Sequence, residues 1–351
     1  MRKALRQKFS VNGNDIRLIN LLDEKAKNLG YKERALLKHH IKSAILESIE
    51  SLSEELQIQA KKRRGRPPKN YSETDIDKRA LIINIFDVHF GKVFEKNGTI
   101  IFDIEKARTL VDSLFDNAIL TIKFLGEQAF DEVVVVFGGD LLEGDGSIFS
   151  FQKAMIEESI VSQIMASVDC FLRNIIKLQR LFPHCKIRIY GVPGNHGQSR
   201  TQEKLFHPIK DNYDTQVYIL LEKMIEFAKQ NYNDIKNVDI QYATEKPDIV
   251  FNVKGWNFGA IHEMKRNLYT PTSKVSILGL ALSDKVDVIL TGHFHDTMVV
   301  TAGKARVIRN GSFLAQDQFA RSLLIPEGYS EQTIIVVHKS NPVELIKFVQ
   351  L

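Results

Sequence analysis

Asp87, His89, Asp140, Asn195, His262, His293 and His295 carry side chains that bind divalent cations, and each stands at the end of a hydrophobic run. Carboxylate, carboxamide and imidazole donors delivered from separate strand ends are what a site for two divalent transition ions requires. No thiolate belongs to the set, which points away from a structural zinc knuckle and toward Mn, Fe or Zn in a hydrolytic centre.

The elements that must position these donors share one build. Residues 81–86 deliver Asp87-Val88-His89, and residues 133–137 deliver Gly138-Gly139-Asp140. Residues 187–193 deliver Gly194-Asn195-His196, residues 258–261 deliver His262, and residues 286–290 lead to Gly292-His293-Phe294-His295. Short continuous apolar runs of this kind read as strands buried on both faces. Glycine ahead of the polar residue lets the backbone turn sharply and approach an ion closely. Open α/β sheets place their ligands at the carboxyl ends of strands. Any one piece reads equally as a turn or a satisfied core histidine; five pieces at five strand ends do not.

The ordered set Asp-x-His, Gly-Asp, Gly-Asn-His, His and Gly-His-x-His resembles the calcineurin-like metallophosphoesterase family, with motifs between residues 79 and 313. The resemblance implies an α/β sandwich of two mixed β-sheets flanked by helices, with a dinuclear metal site at one end. It implies that Asp87, His89 and His295 hold a first metal, that Asn195, His262 and His293 hold a second, and that Asp140 bridges them. A carboxylate, with about four lone-pair sites, can serve two cations at once. His196 matches the position that steadies the transition state or protonates the leaving oxygen, a role that suits imidazole. Mn is the expected ion, with Fe or Zn as alternatives. Many members have an acidic residue after Gly-Asn-His, where this chain has Gly197. Glu143, three residues after Asp140, fits the acidic position that supports the ligands from behind.

Composition agrees with an ordinary globular chain: 351 residues, 44% hydrophobic and 26% charged, with room for one large domain and a small appendage. No apolar run approaches the roughly 20 residues of a membrane span, and no apolar signal core follows Met1-Arg2-Lys3. A cytoplasmic, unsecreted location is expected, nucleoid-associated or nuclear according to the source. The two cysteines, Cys170 and Cys185, are expected to be reduced.

A second signal lies at residues 61–69, Lys-Lys-Arg-Arg-Gly-Arg-Pro-Pro-Lys, with six positive charges and no negative one. Removing those six from the chain's 48 basic residues leaves 42 against 43 acidic, so the net charge of +5 resides there. Concentrated basic charge binds polyanions by releasing their counterions. The core Arg64-Gly65-Arg66-Pro67 resembles an AT-hook, an extended arm whose arginines enter the narrow minor groove of AT-rich DNA. A plain basic linker is the alternative.

The expected organisation is a helical region over 1–60, a basic linker over 61–78 and the phosphoesterase domain over 79–351. An apolar stripe at Leu37, Ile41, Ile45, Ile49, Leu52 and Leu56 could pack within the first region or pair with a second copy to form a homodimer. Helical patterns cover 104–128, 150–181 and 216–232, and one strand is expected over 297–307. Arg200, Lys265 and Arg266 are candidate phosphate contacts, and Phe149, Phe151 and Tyr269 candidate base stackers. Asn310-Gly311-Ser312 reads either as a substrate-side loop or as a hairpin turn.

The resulting expectation is a metal-dependent phosphodiesterase acting on DNA, a nuclease similar to the nuclease subunit of double-strand-break repair complexes. A full substrate-capping domain after the last motif is not expected, since 56 residues follow His295. Exonuclease or endonuclease action and an ATPase partner stay open. The alternatives are a phosphoprotein or small-molecule phosphoesterase, because the same centre serves those substrates, and a DNA-binding protein with an idle phosphoesterase domain.

Overall fold

The protein, as a computed structural model, is described over residues 78–148, 152–198, 209–262, 285–302, 304–315 and 328–351. All of these belong to the second of the two units into which the chain divides, Ile76–Leu351. The helical region and basic arm read from the sequence, and with them Arg64, Gly65, Arg66 and Pro67, lie outside the described residues.

Two mixed sheets form the frame. The larger is built around four parallel strands, β1 (Arg79–Ile85), β4 (Phe130–Phe137), β5 (Lys186–Gly191) and β6 (Val238–Tyr242). Antiparallel strands β12 (Glu331–His338) and β13 (Asn341–Gln350) extend it beyond β1. The second sheet orders β10 (Met298–Ala302), β11 (Ala305–Arg309), β9 (Val288–Thr291), β8 (Trp256–Ile261) and β7 (Asp248–Val253). Its three central strands run parallel, and β10 and β7 run antiparallel at the edges. A small ribbon, β2 (Phe94–Lys96) with β3 (Thr99–Phe102), lies apart.

The apolar runs are continuous because the central strands are buried on both faces. Alternation sends Leu81, Ile83, Val133, Val135, Ile187 and Ile189 to one side, where they meet helices α1 (Ile104–Leu125), α2 (Ile160–Leu181) and α3 (Tyr213–Asn231). Ala80, Ile82, Val134, Val136 and Tyr190 face the second sheet, where Tyr190 stacks on Phe251 at 4.0 Å between ring centroids. Each leucine, isoleucine or phenylalanine fully buried in these cores contributes about 1.5–3 kcal/mol. Register then fixes the site, because Ile85, Phe137 and Gly191 lie side by side as the last residues of β1, β4 and β5. Whatever follows those strands must emerge together.

Three elements differ from the sequence reading. The helix expected over 150–181 begins only at Ile160, capped by Ser159, whose side chain accepts from Ser162 N. The preceding residues are committed elsewhere: Met155 O accepts from Val93 N, Glu157 N donates to Gly91 O, and the Gln152 amide is drawn to Glu143. The strand expected over 297–307 is two antiparallel strands that break after Ala302. Asn310, Gly311 and Ser312 form neither a substrate loop nor a hairpin turn. They are buried and brace the first motif loop, with Ser312 Oγ donating to Asp87 O at 2.9 Å. Among the described residues no helix is long and apolar enough to cross a membrane. Cys170 and Cys185 are free and buried.

Candidate metal centre

The loops after β1 and β4 are stitched together by main-chain bonds. Asp87 N donates to Gly139 O (3.1 Å), His89 N to Asp140 O (3.0 Å) and Phe90 N to Leu141 O (2.8 Å). The β5 loop joins them so closely that a Cβ on Gly139 would lie 2.6 Å from Gly194 N. Only glycine fits that approach. His196 N donates to Asp140 Oδ1 at 2.7 Å, and His293 N donates to Asp87 Oδ2 at 2.9 Å, which brings in the loop after β9.

All seven donors read from the sequence converge here. On one side His89 Nε2 lies 3.2 Å from His295 Nε2, and His295 Nε2 lies 3.4 Å from Asp87 Oδ1. On the other, His262 Nε2 lies 3.0 Å from Asp140 Oδ2 and 3.2 Å from Asn195 Oδ1. The rings of His262 and His293 meet edge to face at 5.3 Å. Asp87, His89, Asp140 and His262 are 2% exposed or less, whereas Asn195, His196, His293 and His295 line a partly open side.

The donor set fits divalent cations on three counts. First, it has more lone pairs than protons. His262 Nδ1 is 2.8 Å from Gly138 O and so carries the hydrogen, which leaves Nε2 to face two oxygen acceptors. Asp87 Oδ1 is buried with no hydrogen-bond donor. Second, Nε2 and oxygen atoms bound about 2.0–2.2 Å from one ion stand about 3–3.5 Å apart, as these pairs do. Third, Asp87, His89, Asp140, His293 and His295 all have φ between 50° and 74°. Left-handed backbone costs a non-glycine residue about 1–2 kcal/mol. Strain of this kind gathers where side chains must be aimed.

Electrostatics agree. Burial works to neutralise Asp87 and Asp140, but the imidazoles around them prevail and hold both carboxyls below their usual range. Burial likewise opposes charge on His262, yet Asp140 and Asp87 lift its pKa to about 10. The site therefore favours a positive charge among these atoms, which a proton or a metal ion can supply. His89 is driven the other way by burial and stays neutral, the form in which imidazole ligates.

Behind the ligands sits a buried polar cluster. Glu143 Oε2 is 3.0 Å from His89 Nδ1, 3.4 Å from His196 Nδ1 and 3.5 Å from Lys92 Nζ. Burial disfavours the Glu143 anion, but Lys92 and His196 hold its pKa well down. Gln152 Nε2 is 2.9 Å from both Glu143 O and Glu143 Oε1, and 3.1 Å from His196 Nδ1. With Asp140 beside it as well, His196 is raised to about 9 against the opposing effect of burial.

Sequence reading missed several of these supports. Lys92 could have been suspected as a lone cation within the apolar stretch Phe90-Gly91-Lys92-Val93, and it is 1% exposed. Asn212 and Asp214 open α3, and Asp214 accepts from Asp140 N, Leu141 N and Gly194 N. Burial and the neighbouring Asp140 push the Asp214 carboxyl up to about 6. Gln332, polar within an apolar strand, bonds Phe86 N, Phe86 O and Gly311 O. Arg200, Lys265, Arg266, Tyr269, Phe149 and Phe151 lie outside the described residues.

No protein-family model matches the chain. It is 23% identical over 278 residues to the SPbeta prophage-derived uncharacterized protein YonJ of Bacillus subtilis (strain 168). That alignment covers 70% of this chain but 58% of YonJ, so the chain spans little more than half of its relative. Among solved structures, an archaeal phosphodiesterase aligns with 78% of this chain and 99% of its own, at 12% identity and a TM-score of 0.34. Wild-type Vps29 of Entamoeba histolytica, solved with Zn2+, aligns with 78% of this chain and 98% of its own, at 12% identity and a TM-score of 0.31. Likenesses this distant assign no activity; the donor geometry has to.

Proposed function

We propose that this protein is a dinuclear-metal-dependent phosphodiesterase acting on DNA. The observation that supports the chemistry is the convergence of seven oxygen and imidazole donors with lone pairs facing one another and no thiolate among them. Asp87, His89 and His295 would hold one ion, Asn195, His262 and His293 the other, with Asp140 between them. Mn2+ suits the mixed oxygen and nitrogen set, and Fe or Zn are the alternatives. When bound, such a pair supplies an activated water and charge neutralisation at the phosphate.

The chain's own residues do the rest. Asp140 receives His196 N on Oδ1 and presents Oδ2 to His262, so both its oxygens are fixed. Glu143, itself held by Gln152, faces the His196 Nδ1 edge through Oε2 and its main-chain O, and the nearby carboxylates favour the protonated imidazole, ready to donate to the leaving oxygen. Glu143 also lies 3.0 Å from His89 Nδ1, which leaves His89 Nε2 facing His295, where it would be available to a metal ion.

DNA as the substrate is supported by the Lys/Arg-rich stretch at residues 61–69, for which an enzyme of small esters has no need. In this reading the arm holds DNA and the centre cuts it, within the reducing compartment that two free thiols suit. Mn2+-dependent cleavage of labelled single- and double-stranded DNA, beside a generic phosphodiester reporter, tests both halves. Asp140→Ala is expected to abolish both activities. Changing Arg64 and Arg66 to Ala should weaken DNA binding and flatten its salt slope by about 1.8, from two lost counterion-displacing charges, while sparing the reporter. Reporter activity without DNA cleavage would leave a phosphoesterase for other substrates. No activity on either, with Asp140→Ala indistinguishable from the parent, would leave an idle domain.

A further inference from the structure

Asp214 lies at the first turn of α3, where a carboxylate ordinarily caps its own helix. It does not do so here. Capping falls to Asn212, whose Oδ1 accepts from Asp214 N at 2.9 Å. The Asp214 carboxylate is 0% exposed, and it is filled by amides from two other loops. Oδ1 accepts from Leu141 N at 3.1 Å, and Oδ2 accepts from Asp140 N at 2.9 Å and Gly194 N at 2.8 Å. Asn212 adds a second tie, Nδ2 donating to Gly194 O at 2.8 Å. One helix end therefore grips both the Gly-Asp and the Gly-Asn-His loop by their main chains, one residue from Asn195 and at Asp140 itself.

The grip is rigid because the helix is. Val217, Tyr218 and Leu221 are fully buried in the core, and Tyr218 Oη donates to Val192 O at 2.8 Å, just before the second loop. The loops touch through glycine, a Cβ on Gly194 falling 2.1 Å from Asp140 N, so no side chain stands between them to set their spacing. A shared acceptor does so instead.

We propose that Asn212 and Asp214 form a positioning pair that fixes the separation of the Asp140 and Asn195 donors and thereby sets how tightly the second cation is held. This rests on the dinuclear reading above. The pair touches no ligand side chain; it acts through the amides that carry them. Asp214→Asn is nearly isosteric, but it turns an NH2 toward amide donors and must give up at least one of the three bonds.

The test uses the whole chain and Mn2+ as the probe, with calorimetry to count ions and electron paramagnetic resonance to detect a spin-coupled pair. The parent is expected to bind two ions and show the coupled signal. Asp214→Asn should lose about tenfold or more in affinity for one ion, the loss common when a ligand's supporting partner is removed, and should show uncoupled Mn2+ at the same loading. Leu221→Ala, a core change further along the same helix, should lower the melting temperature and keep the coupled signal. If Asp214→Asn does not fold, Asn212→Ser carries the test. Serine still caps the helix but cannot make the amide bond to Gly194 O, and a loss of about threefold is expected. Unchanged binding in the variant that folds overturns the positioning role, as does equal loss of the coupled signal in Leu221→Ala. A parent chain that takes up no Mn2+ removes the metal reading and this inference with it.

Discussion

Gly197 stands where the resembling family commonly carries an acidic side chain, and the structure gives a local reason for its absence. A Cβ at this position would lie 2.2 Å from Asn212 Oδ1, far inside the contact distance. The amide cannot swing away freely, since it is bonded at both ends, to Asp214 N and to Gly194 O. Gly197→Ala should therefore displace Asn212. Loss of the cap costs about 1 kcal/mol, and the lost bond to Gly194 O about another 1 kcal/mol. Alanine returns about 0.4–1 kcal/mol by restricting the unfolded chain. The net expectation is a destabilisation of about 1–2 kcal/mol, a few degrees in melting temperature for a domain of this size.

A double-mutant cycle isolates the contact. In an Asn212→Gly background the colliding amide is gone, and Gly197→Ala should be neutral or slightly stabilising. The unfolded-state gain is common to both backgrounds, so the two changes should couple by about 2 kcal/mol, beyond the roughly 0.5 kcal/mol within which independent sites add. Urea unfolding followed by circular dichroism, in chelator so that ion binding does not enter, measures all four proteins. Equal cost of Gly197→Ala in both backgrounds, or no cost in the parent, would refute the account of why an acid is missing here.

Two further outcomes follow from the same geometry. Burial raises both Cys170 and Cys185 from 9 to about 12, so at pH 8 their alkylation should run about three orders of magnitude below that of an ordinary thiol and become fast only on unfolding. Because the folded state holds these protons more tightly, the thiols should subtract stability as pH rises above 9; rapid native alkylation would contradict their placement. Chelator should lower the unfolding midpoint, and Mn2+ at about a hundred times its dissociation constant should restore about 2.7 kcal/mol for each ion bound; no response to Mn2+ would count against the centre.

The donors were legible because the polypeptide writes them beside the strands that deliver them. Once Ile85, Phe137 and Gly191 are in register, residues that immediately follow share one rim of the sheet, and their sequence neighbours reveal them. The supports were not legible, because a carboxylate or amide that bonds main-chain amides needs no partner of any particular type. Asp214 reaches Asp140 from 74 residues away and Gln332 reaches Phe86 from 246, with nothing in either segment naming the other. The same blindness misplaced the start of α2, where the periodicity continues but Gln152 is drawn off to Glu143. This division has an energetic reason. Five donors held in left-handed backbone cost about 5–10 kcal/mol together, comparable to the 5–15 kcal/mol by which a whole domain is stable. No local sequence could sustain that strain alone. It persists because buried side chains from distant parts of the chain bond the main chain beside key donors, as Ser312 does at Asp87 O and Asp214 at Asp140 N, so poorly readable residues keep readable ones in place.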